Sequence, residues 1–273
     1  QPAYSYHGYA QTDLYKIDGR YGTNEEYREL SRELNKRNMK LVMDYVTNHW
    51  GISHWLIKDL PTKDWIHWFD DGENGFKRSN YKITSQFDTN AAEADKKIAL
   101  DGWFDTSMPD INQKNPLVLK YLTQNAIWWI EYAELGGFRV DTYPYNDKYA
   151  MAKWAKAITD EYPNFNIVGE TWLNNAAHIS AWQKDSKTGE AAHYNSNLPS
   201  VMDFPLYGEI PKAIREKDGW DSGMNRIYNS FTNDFLYPDI NNLLVFFENH
   251  DTERWNEMFN ADPKAYKMAM TLI

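Results

Sequence analysis

Hydrophobic positions along the chain follow helical spacing in some segments and form short continuous runs in others. Tyr27, Leu30 and Leu34 lie on one helical face after the capping-box pair Thr23 and Glu26. The same reasoning predicts helices over 24–37, 116–135, 147–161, 207–215 and from 263 onward. Short apolar runs predict buried strands over 39–44, 138–142, 166–170, 201–204 and 243–247.

Strands and helices alternate, which is typical of βα units with a parallel sheet covered on both faces. A (β/α) barrel or a doubly wound sheet would satisfy this order. No Gly-x-Gly-x-x-Gly and no Walker loop follows a strand, so a nucleotide-binding fold is disfavoured. Periodicity disappears over 50–112, which predicts an inserted subdomain between the barrel segments 1–49 and 113–273.

The amino-acid composition restricts the classes of binding partner that the protein can have. The 273 residues are 42% hydrophobic and carry a net charge of −10, which gives no electrostatic footprint for nucleic acid or an anionic membrane. No apolar run is long enough for a membrane span. The chain has no cysteine, so its chemistry must come from other side chains. The 12 Trp and 19 Tyr suggest stacking on sugar faces, although large aromatic rings also fill ordinary cores.

Acidic side chains follow three of the predicted strands, where the sites of barrels and open sheets are built. Arg139 and Asp141 lie on the same side of one strand, because they are two residues apart. Glu170 and Asp251 follow two other strands, and Asp44 is expected at the end of the strand over 39–44. Glycoside hydrolases use two carboxyl groups that face each other across the bond they cleave. Arg139 would keep the Asp141 carboxylate ionised.

Metal chemistry is the alternative, because Asp44, His49, His250 and Asp251 are all metal-ligand types. Their spacing gives it no independent support, since no His-Glu-x-x-His is present. Acyl transfer by a Ser-His-Asp triad lacks its Gly-x-Ser-x-Gly turn.

Four segments resemble the signature segments of the α-amylase superfamily, glycoside hydrolase family thirteen. They are MDYVTNH at 43–49, GFRVD at 137–141, VGETW at 168–172 and FFENHD at 246–251. Two further stretches resemble the same family: YHGY with TDLY over 6–15, and MPDIN at 108–112, which is similar to the segment closing the family's inserted B domain. The sequence between these segments is similar to that of the neopullulanase and cyclomaltodextrinase branch and of bacterial α-amylases.

The resemblance implies a role for each site residue in cleavage of α-1,4-glucosidic bonds of starch, maltodextrins or cyclodextrins. Asp141 would be the nucleophile and Glu170 the general acid/base, about 5 to 5.5 Å apart in a retaining mechanism. Asp251 would hold hydroxyls of the distorted ring. The remaining substrate contacts would come from Tyr9, His7, His49, Arg139, His250 and Trp172.

The chemistry implied by the resemblance needs no cofactor, but many family members hold a structural calcium ion. In those members a His lies four residues beyond the nucleophile, and Tyr145 takes that position here. Asn48 and Asn112 are the remaining candidate oxygen ligands, whereas a calcium site needs six or more oxygens. A structural calcium is therefore not expected.

Two other functions stay open beside hydrolysis of α-glucans. A transglycosylase would have the same acids, and a non-catalytic sugar-binding protein on the same fold would typically lose one of them. The oligomeric state has no sequence signal. Since a barrel of this family has eight strands and only five are predicted, we expect an incomplete barrel, with two strands before Gln1 and one after Ile273.

Overall fold

The computed structural model describes residues 5–273, which divide into two compact units between Ile167 and Val168. Unit 1 contains α1 (Asn24–Asn35), β1 (Val42–Val46), α2 (Glu93–Asp101), α3 (Pro116–Ala133), β2 (Gly137–Asp141) and α4 (Lys148–Glu161). Strand β3 (Asn166–Gly169) crosses the division. Unit 2 continues with α5 (Ala176–Ser180), α6 (Lys187–Ala191), β4 (Ser200–Met202), α7 (Phe204–Arg215), α8 (Asn225–Phe231), β5 (Leu243–Leu244), α9 (Trp255–Met258) and α10 (Pro263–Leu272).

Helix starts follow the capping signals in the sequence. Thr23 Oγ1 accepts from the Glu26 N–H while Glu26 returns a bond to the Thr23 N–H, so the capping box begins α1 as predicted. The side chains of Asn115, Asp147 and Asp262 cap α3, α4 and α10, and Pro occupies the first helical position of α3 and α10.

Strands β1 and β2 pair in parallel, and their register places Asp44 beside Arg139 and Val46 beside Asp141. Their side chains alternate between two faces. Tyr45 and Phe138 face the helices, where their ring centroids lie 4.8 Å apart and Tyr45 stacks on Trp154 of α4 at 5.7 Å. The opposite face of this strand pair therefore carries the charged residues.

Gly137 is required by the close approach of two strands. A Cβ at this position would lie 2.8 Å from the carbonyl oxygen of Asn166 at the start of β3. The sequence predicts the preceding helix over 116–135, with Gly136 and Gly137 as the residues that end it. That expectation is wrong, because α3 ends at Ala133 and Glu134 closes it in the left-handed conformation with φ 52°.

Unit 2 contains two parallel pairings and its own apolar core. Val168 of β3 pairs with Ser200 of β4, and Val201 of β4 pairs with Leu243 of β5. Its core forms where α7, α8, α9 and α10 meet, around the buried residues Leu206, Ile210, Ala213, Ile227, Phe247, Trp255, Ala265 and Ala269.

The bounds of all five predicted strands differ in the structure, by one residue at each end of β2 and at one end of β3, and by more in the other three. The strand expected over 39–44 is shifted to Val42–Val46, so Asp44 is its middle residue and does not follow its end. The strand expected over 243–247 stops at Leu244, which places Asp251 in a turn seven residues further on. The strand expected over 201–204 is Ser200–Met202, and Phe204 begins α7 after the cap Asp203.

The segment 50–112 contains one helix that the sequence pattern did not predict, α2, besides the 3-10 helices Trp55–Lys58, Lys63–Trp65 and Ile83–Gln86. Isolated antiparallel bridges join His49 to Asp110 and Ile66 to Ile111, so both ends of the segment lie together in unit 1. The proposed subdomain boundaries stay a prediction.

Among residues 5–273, no helix has the length and hydropathy that crossing a membrane requires.

His54 gives unit 1 a pH-dependent stability. It is fully buried, stacks on Trp50 at 4.3 Å, and its Nδ1 accepts from the Leu56 N–H. Burial lowers the pKa of His54 from 6.5 to about 4. Because the unfolded chain binds the proton first, this group's contribution is complete above about pH 6.5 and is lost as the pH falls toward 4.

The variant His54→Asn can still cap the 3-10 helix but does not titrate. We predict that, between pH 7 and pH 5, the free energy of unfolding falls by about 2 kcal/mol less in this variant than in the native protein. Urea unfolding at both pH values measures this difference. The exposed His178→Gln variant is the control and should keep the native pH dependence. Equal losses in native protein and His54→Asn would contradict the assignment.

Candidate active site

Arg139 joins two carboxylates on the polar face of β1 and β2. Asp141 is the last residue of β2 and is 6% exposed. The Arg139 Nη1 donates to Asp141 Oδ1 at 2.7 Å and lies 2.9 Å from Asp44 Oδ1. The predicted pairing of Arg139 with Asp141 is confirmed. The sequence did not predict that Asp44 shares the same guanidinium, since it placed Asp44 at the end of its strand and not in the middle.

Tyr9 lies against the same cluster. Its hydroxyl donates to Asp44 Oδ2 at 2.6 Å, and the guanidinium carbon of Arg139 lies 5.9 Å from the centre of its ring. Burial, then the neighbouring Asp44 carboxylate, raises the pKa of Tyr9 well above its ordinary value, so the hydroxyl stays protonated. The exposed His7 stacks on the Tyr9 ring at 5.8 Å.

His49 is a neutral, buried imidazole close to the end of β1. It is 1% exposed and stacks on Phe104 at 5.3 Å, while its Nδ1 lies 3.3 Å from the amide nitrogen of Asn48. Burial lowers the pKa of His49 to about 3. Its Nε2 has no hydrogen-bond partner within residues 5–273, and a buried ring nitrogen of this kind needs a water or a ligand hydroxyl.

Unit 2 carries the remaining predicted residues. Glu170 directly follows β3 and is 5% exposed. Trp172 is 43% exposed and stacks one face on Phe204 at 4.8 Å, with an interplanar angle of 15°. His250 Nε2 lies 3.0 Å from Asp251 Oδ2, and both side chains are partly exposed. The separation between Asp141 and Glu170 joins residues of different units and stays a prediction.

One of the two candidate calcium ligands, Asn112, is engaged elsewhere. The Asn112 amide donates to the Asp64 carbonyl at 2.8 Å, and its oxygen accepts from the Lys114 N–H at 3.1 Å. Asn48 Oδ1 is buried and has no partner in the described part of the chain. Residues 5–273 contain no group of three His, Asp or Glu side chains arranged to hold a metal ion. A single amide oxygen does not make a hard-cation site.

Sequence reasoning did not single out Asp110 chemically. It is 1% exposed, and burial raises its pKa to about 7, against the lowering effect of His67, whose Nδ1 lies 2.6 Å from Asp110 Oδ2. The available signal was an acid between apolar residues in the segment MPDIN at 108–112. Asp110 is placed by its bridge to His49, so this pair connects the segment 50–112 to the end of β1.

We predict that Arg139→Gln lowers the free energy of unfolding by about 3 kcal/mol, because Asp141 and Asp44 lose their shared cation. The double variant with Asp44→Asn should recover part of this loss, since one of the two repelling carboxylates is removed. Urea unfolding measures both. The control is Arg32→Gln in the exposed pair with Glu134, which should cost no more than about 0.5 kcal/mol. If Arg139→Gln lowered the free energy of unfolding as little as the control does, Arg139 would not be the shared cation that stabilises Asp141 and Asp44.

Comparison with known proteins assigns the family. Residues 1–273 match the family described as alpha amylase, catalytic domain. The chain is 29% identical over 281 residues to Alpha-amylase 3 of Dictyoglomus thermophilum, covering 95% of this chain and 49% of that protein. It is 26% identical over 273 residues to a cyclomaltodextrinase of Thermoanaerobacter pseudethanolicus, covering 98% and 42%.

Solved structures agree with this assignment. The α-amylase of Geobacillus thermoleovorans complexed with acarbose superposes with a TM-score of 0.77 at 28% identity, covering 98% of this chain and 54% of that chain. An Anoxybacillus α-amylase gives a TM-score of 0.72 at 27% identity, covering 93% and 49%. The chain thus spans about half the length of these relatives. It belongs to the α-amylase catalytic-domain family, and its strands and helices form part of the (β/α)8 barrel of that family.

Proposed function

We propose that the protein is a retaining glycoside hydrolase that cleaves α-1,4-glucosidic bonds of starch, maltodextrins or cyclodextrins. The observation that carries the proposal is the buried Asp141 carboxylate held by Arg139 at 2.7 Å. A charge-assisted hydrogen bond of this kind favours an ionised carboxylate, which is the form a nucleophile needs. Relatives named α-amylase and cyclomaltodextrinase support the substrate class.

The mechanism follows from the roles of the two buried acids. In the first displacement, Asp141 attacks the anomeric carbon while Glu170 donates its proton to the departing glycosidic oxygen. In the second, Glu170 takes a proton from water, whose oxygen attacks the same carbon and releases Asp141. Two inversions give net retention of the α-configuration. Glu170 ends the cycle protonated again, so protons balance.

The neutral side chains around Asp141 suit the binding of sugar hydroxyls. Tyr9 presents an aromatic ring beside Asp44 and Arg139, which can support the flat C–H face of a glucose residue. His49 is neutral at ordinary pH, so its Nε2 can exchange a hydrogen bond with a hydroxyl without placing a cation near the developing oxocarbenium charge. Asp251 and His250 would bind hydroxyls of the same ring.

We predict that Asp141→Asn and Glu170→Gln each lower kcat on maltoheptaose or β-cyclodextrin by at least about 10²- to 10⁴-fold. Glu170→Gln should recover activity on a substrate with a 4-nitrophenol leaving group, which departs without proton donation, whereas Asp141→Asn should not. Nuclear magnetic resonance of the first product should show the α-anomer.

The matched control for these variants is Glu253→Gln, an exposed acid two residues from Asp251. It should keep native activity. A first product in the β-configuration would exclude the double displacement, and full activity of Asp141→Asn would exclude its role. Products longer than the substrate would identify a transglycosylase, which uses the same two acids.

We also propose that catalysis needs no metal ion or other cofactor, because the proposed double displacement uses only the carboxyl groups of Asp141 and Glu170. Dialysis against a strong chelator should leave both kcat and the melting temperature unchanged. Calcium added afterwards should not raise the melting temperature. A rise of several degrees on adding calcium, with magnesium as the control ion, would show that a structural site exists.

A further inference from the structure

A polar pocket lies in unit 1, between helix α2 and the start of helix α4. Its volume is about 400 Å³, which is within the range of small-molecule sites. Residues of 93–101 and 147–149 line it, together with Gln86 and Lys114. None of them belongs to the candidate active site described above.

Lysines outnumber carboxylates in this pocket, although the chain as a whole carries a net charge of −10. Four lysines line the pocket, against three acidic side chains. The lysines are Lys96, Lys97, Lys114 and Lys148, and the acids are Glu93, Asp101 and Asp147. In a chain that repels anions overall, this excess of lysines creates a local place where an anion can bind.

Two of the three carboxylates are engaged inside the protein. Asp147 caps α4 by accepting from the Ala150 N–H at 2.8 Å, and Asp101 accepts from Lys97 Nζ at 2.8 Å. Lys114 Nζ lies 3.6 Å from Asp101 and 3.9 Å from Asp147, beyond the length of a normal hydrogen bond. The Lys114 ammonium can therefore bind an anion without giving up a hydrogen bond to either acid.

The third carboxylate, that of Glu93, lies at the solvent edge of the pocket. It accepts from Lys96 Nζ at 2.8 Å, but the Glu93 side chain is 87% exposed, whereas that of Lys96 is 24% exposed. An ion pair with so exposed a partner contributes little stability, because water screens it. Lys96 can therefore exchange this pair for a bond to an anion inside the pocket.

Lys148 is the buried cation of the pocket. The residue is 8% exposed, and its Nζ donates to the Gln86 carbonyl at 2.9 Å and lies 4.3 Å from the centre of the Phe87 ring. Burial lowers the pKa of Lys148, the Asp147 carboxylate opposes this effect, and repulsion by Lys96 adds to it. An anion bound between Lys96 and Lys148 would offset that repulsion.

The position of Lys148 is fixed before any ligand binds. The Gln86 side-chain amide donates to the Pro144 carbonyl, and this bond holds the residue whose backbone carbonyl accepts from Lys148. A cation that is already in place loses less conformational entropy when it binds a ligand. Tyr149, which is 54% exposed, offers an aromatic ring to the organic part of a ligand.

We propose that this pocket binds the phosphate group of a small molecule, held by Lys148, Lys96 and Lys114. A phosphate group presents several charged oxygens to the donors around it, and ammonium groups bind such oxygens through charge-assisted hydrogen bonds. The volume leaves room for more than the phosphate itself, so a phosphate ester fits as well as the free ion. The site is independent of the proposed function, because it uses other residues and needs no glucan chain.

Isothermal titration of the full-length protein with inorganic phosphate and with glycerol 3-phosphate, at constant ionic strength, tests the site. Lys148→Met should raise the Kd at least about tenfold and Lys96→Met about fivefold, because each removes a charged donor and keeps an unbranched side chain. A melting temperature no lower than that of the native protein would show that each variant is folded.

The control is Lys156→Met, which removes an exposed lysine of the same helix, paired with Asp160 outside the pocket. It should keep the native Kd. A lower Kd for glycerol 3-phosphate than for phosphate would support an ester as the ligand, and equal values would support the free ion.

Binding of neither compound, or a Kd that both Lys148→Met and Lys96→Met leave unchanged, overturns the phosphate site. The titration does not depend on turnover. A protein that binds phosphate through these lysines and never cleaves a glucan would therefore support the site and overturn the proposed function.

Discussion

The Arg139 guanidinium is the interaction on which the polar face of the first two strands depends. It stands between Asp141 and Asp44, at 2.7 and 2.9 Å from their nearest oxygens, and the parallel register brings Asp44 beside it. Two carboxylates this close would repel each other, and a cation on the intervening position offsets that repulsion. Tyr9 completes the arrangement by donating to Asp44 Oδ2, which also lies 3.3 Å from Arg139 Nη1.

The opposite face of the same strands explains why this charge cluster can be tolerated. Tyr45, Phe138 and Trp154 form an aromatic layer against α3 and α4, and Tyr45 donates its hydroxyl to Asn125 at 2.7 Å. Rigid packing on that side fixes the backbone from which Asp44, Arg139 and Asp141 project. The apolar layer thus packs one face of the strand pair against the helices, and the ionic cluster occupies the other face.

In unit 2, too, the apolar core and the candidate site residues lie in different places. Its core is buried among α7, α8, α9 and α10, while Glu170 and Trp172 lie on the segment directly after β3. Trp172 gives one face to Phe204 and keeps 43% of its surface exposed, so it is anchored and still accessible to a ligand. The ion pairs of Arg226 with Glu209 and Glu216 hold α8 against α7 and the residues that follow it.

The sequence by itself determined the order of the five strands and of α1, α3, α4, α7 and α10, because these depend on local hydrogen bonding and on short motifs. The helix caps and the family were determined in the same way, whereas α2 was not predicted. The side chains of Thr23, Asn115, Asp147 and Asp262 each cap a helix by accepting from a backbone N–H two or three residues further on. Only the tertiary structure decided where the strands end, since strand bounds depend on pairing partners that are distant in the chain. It moved the start of β1 by three residues and its end by two, so Asp44 became a partner of Arg139. It also gave Gly137 its role as the point where a carbonyl of β3 approaches closely. Neither contact has a local signal.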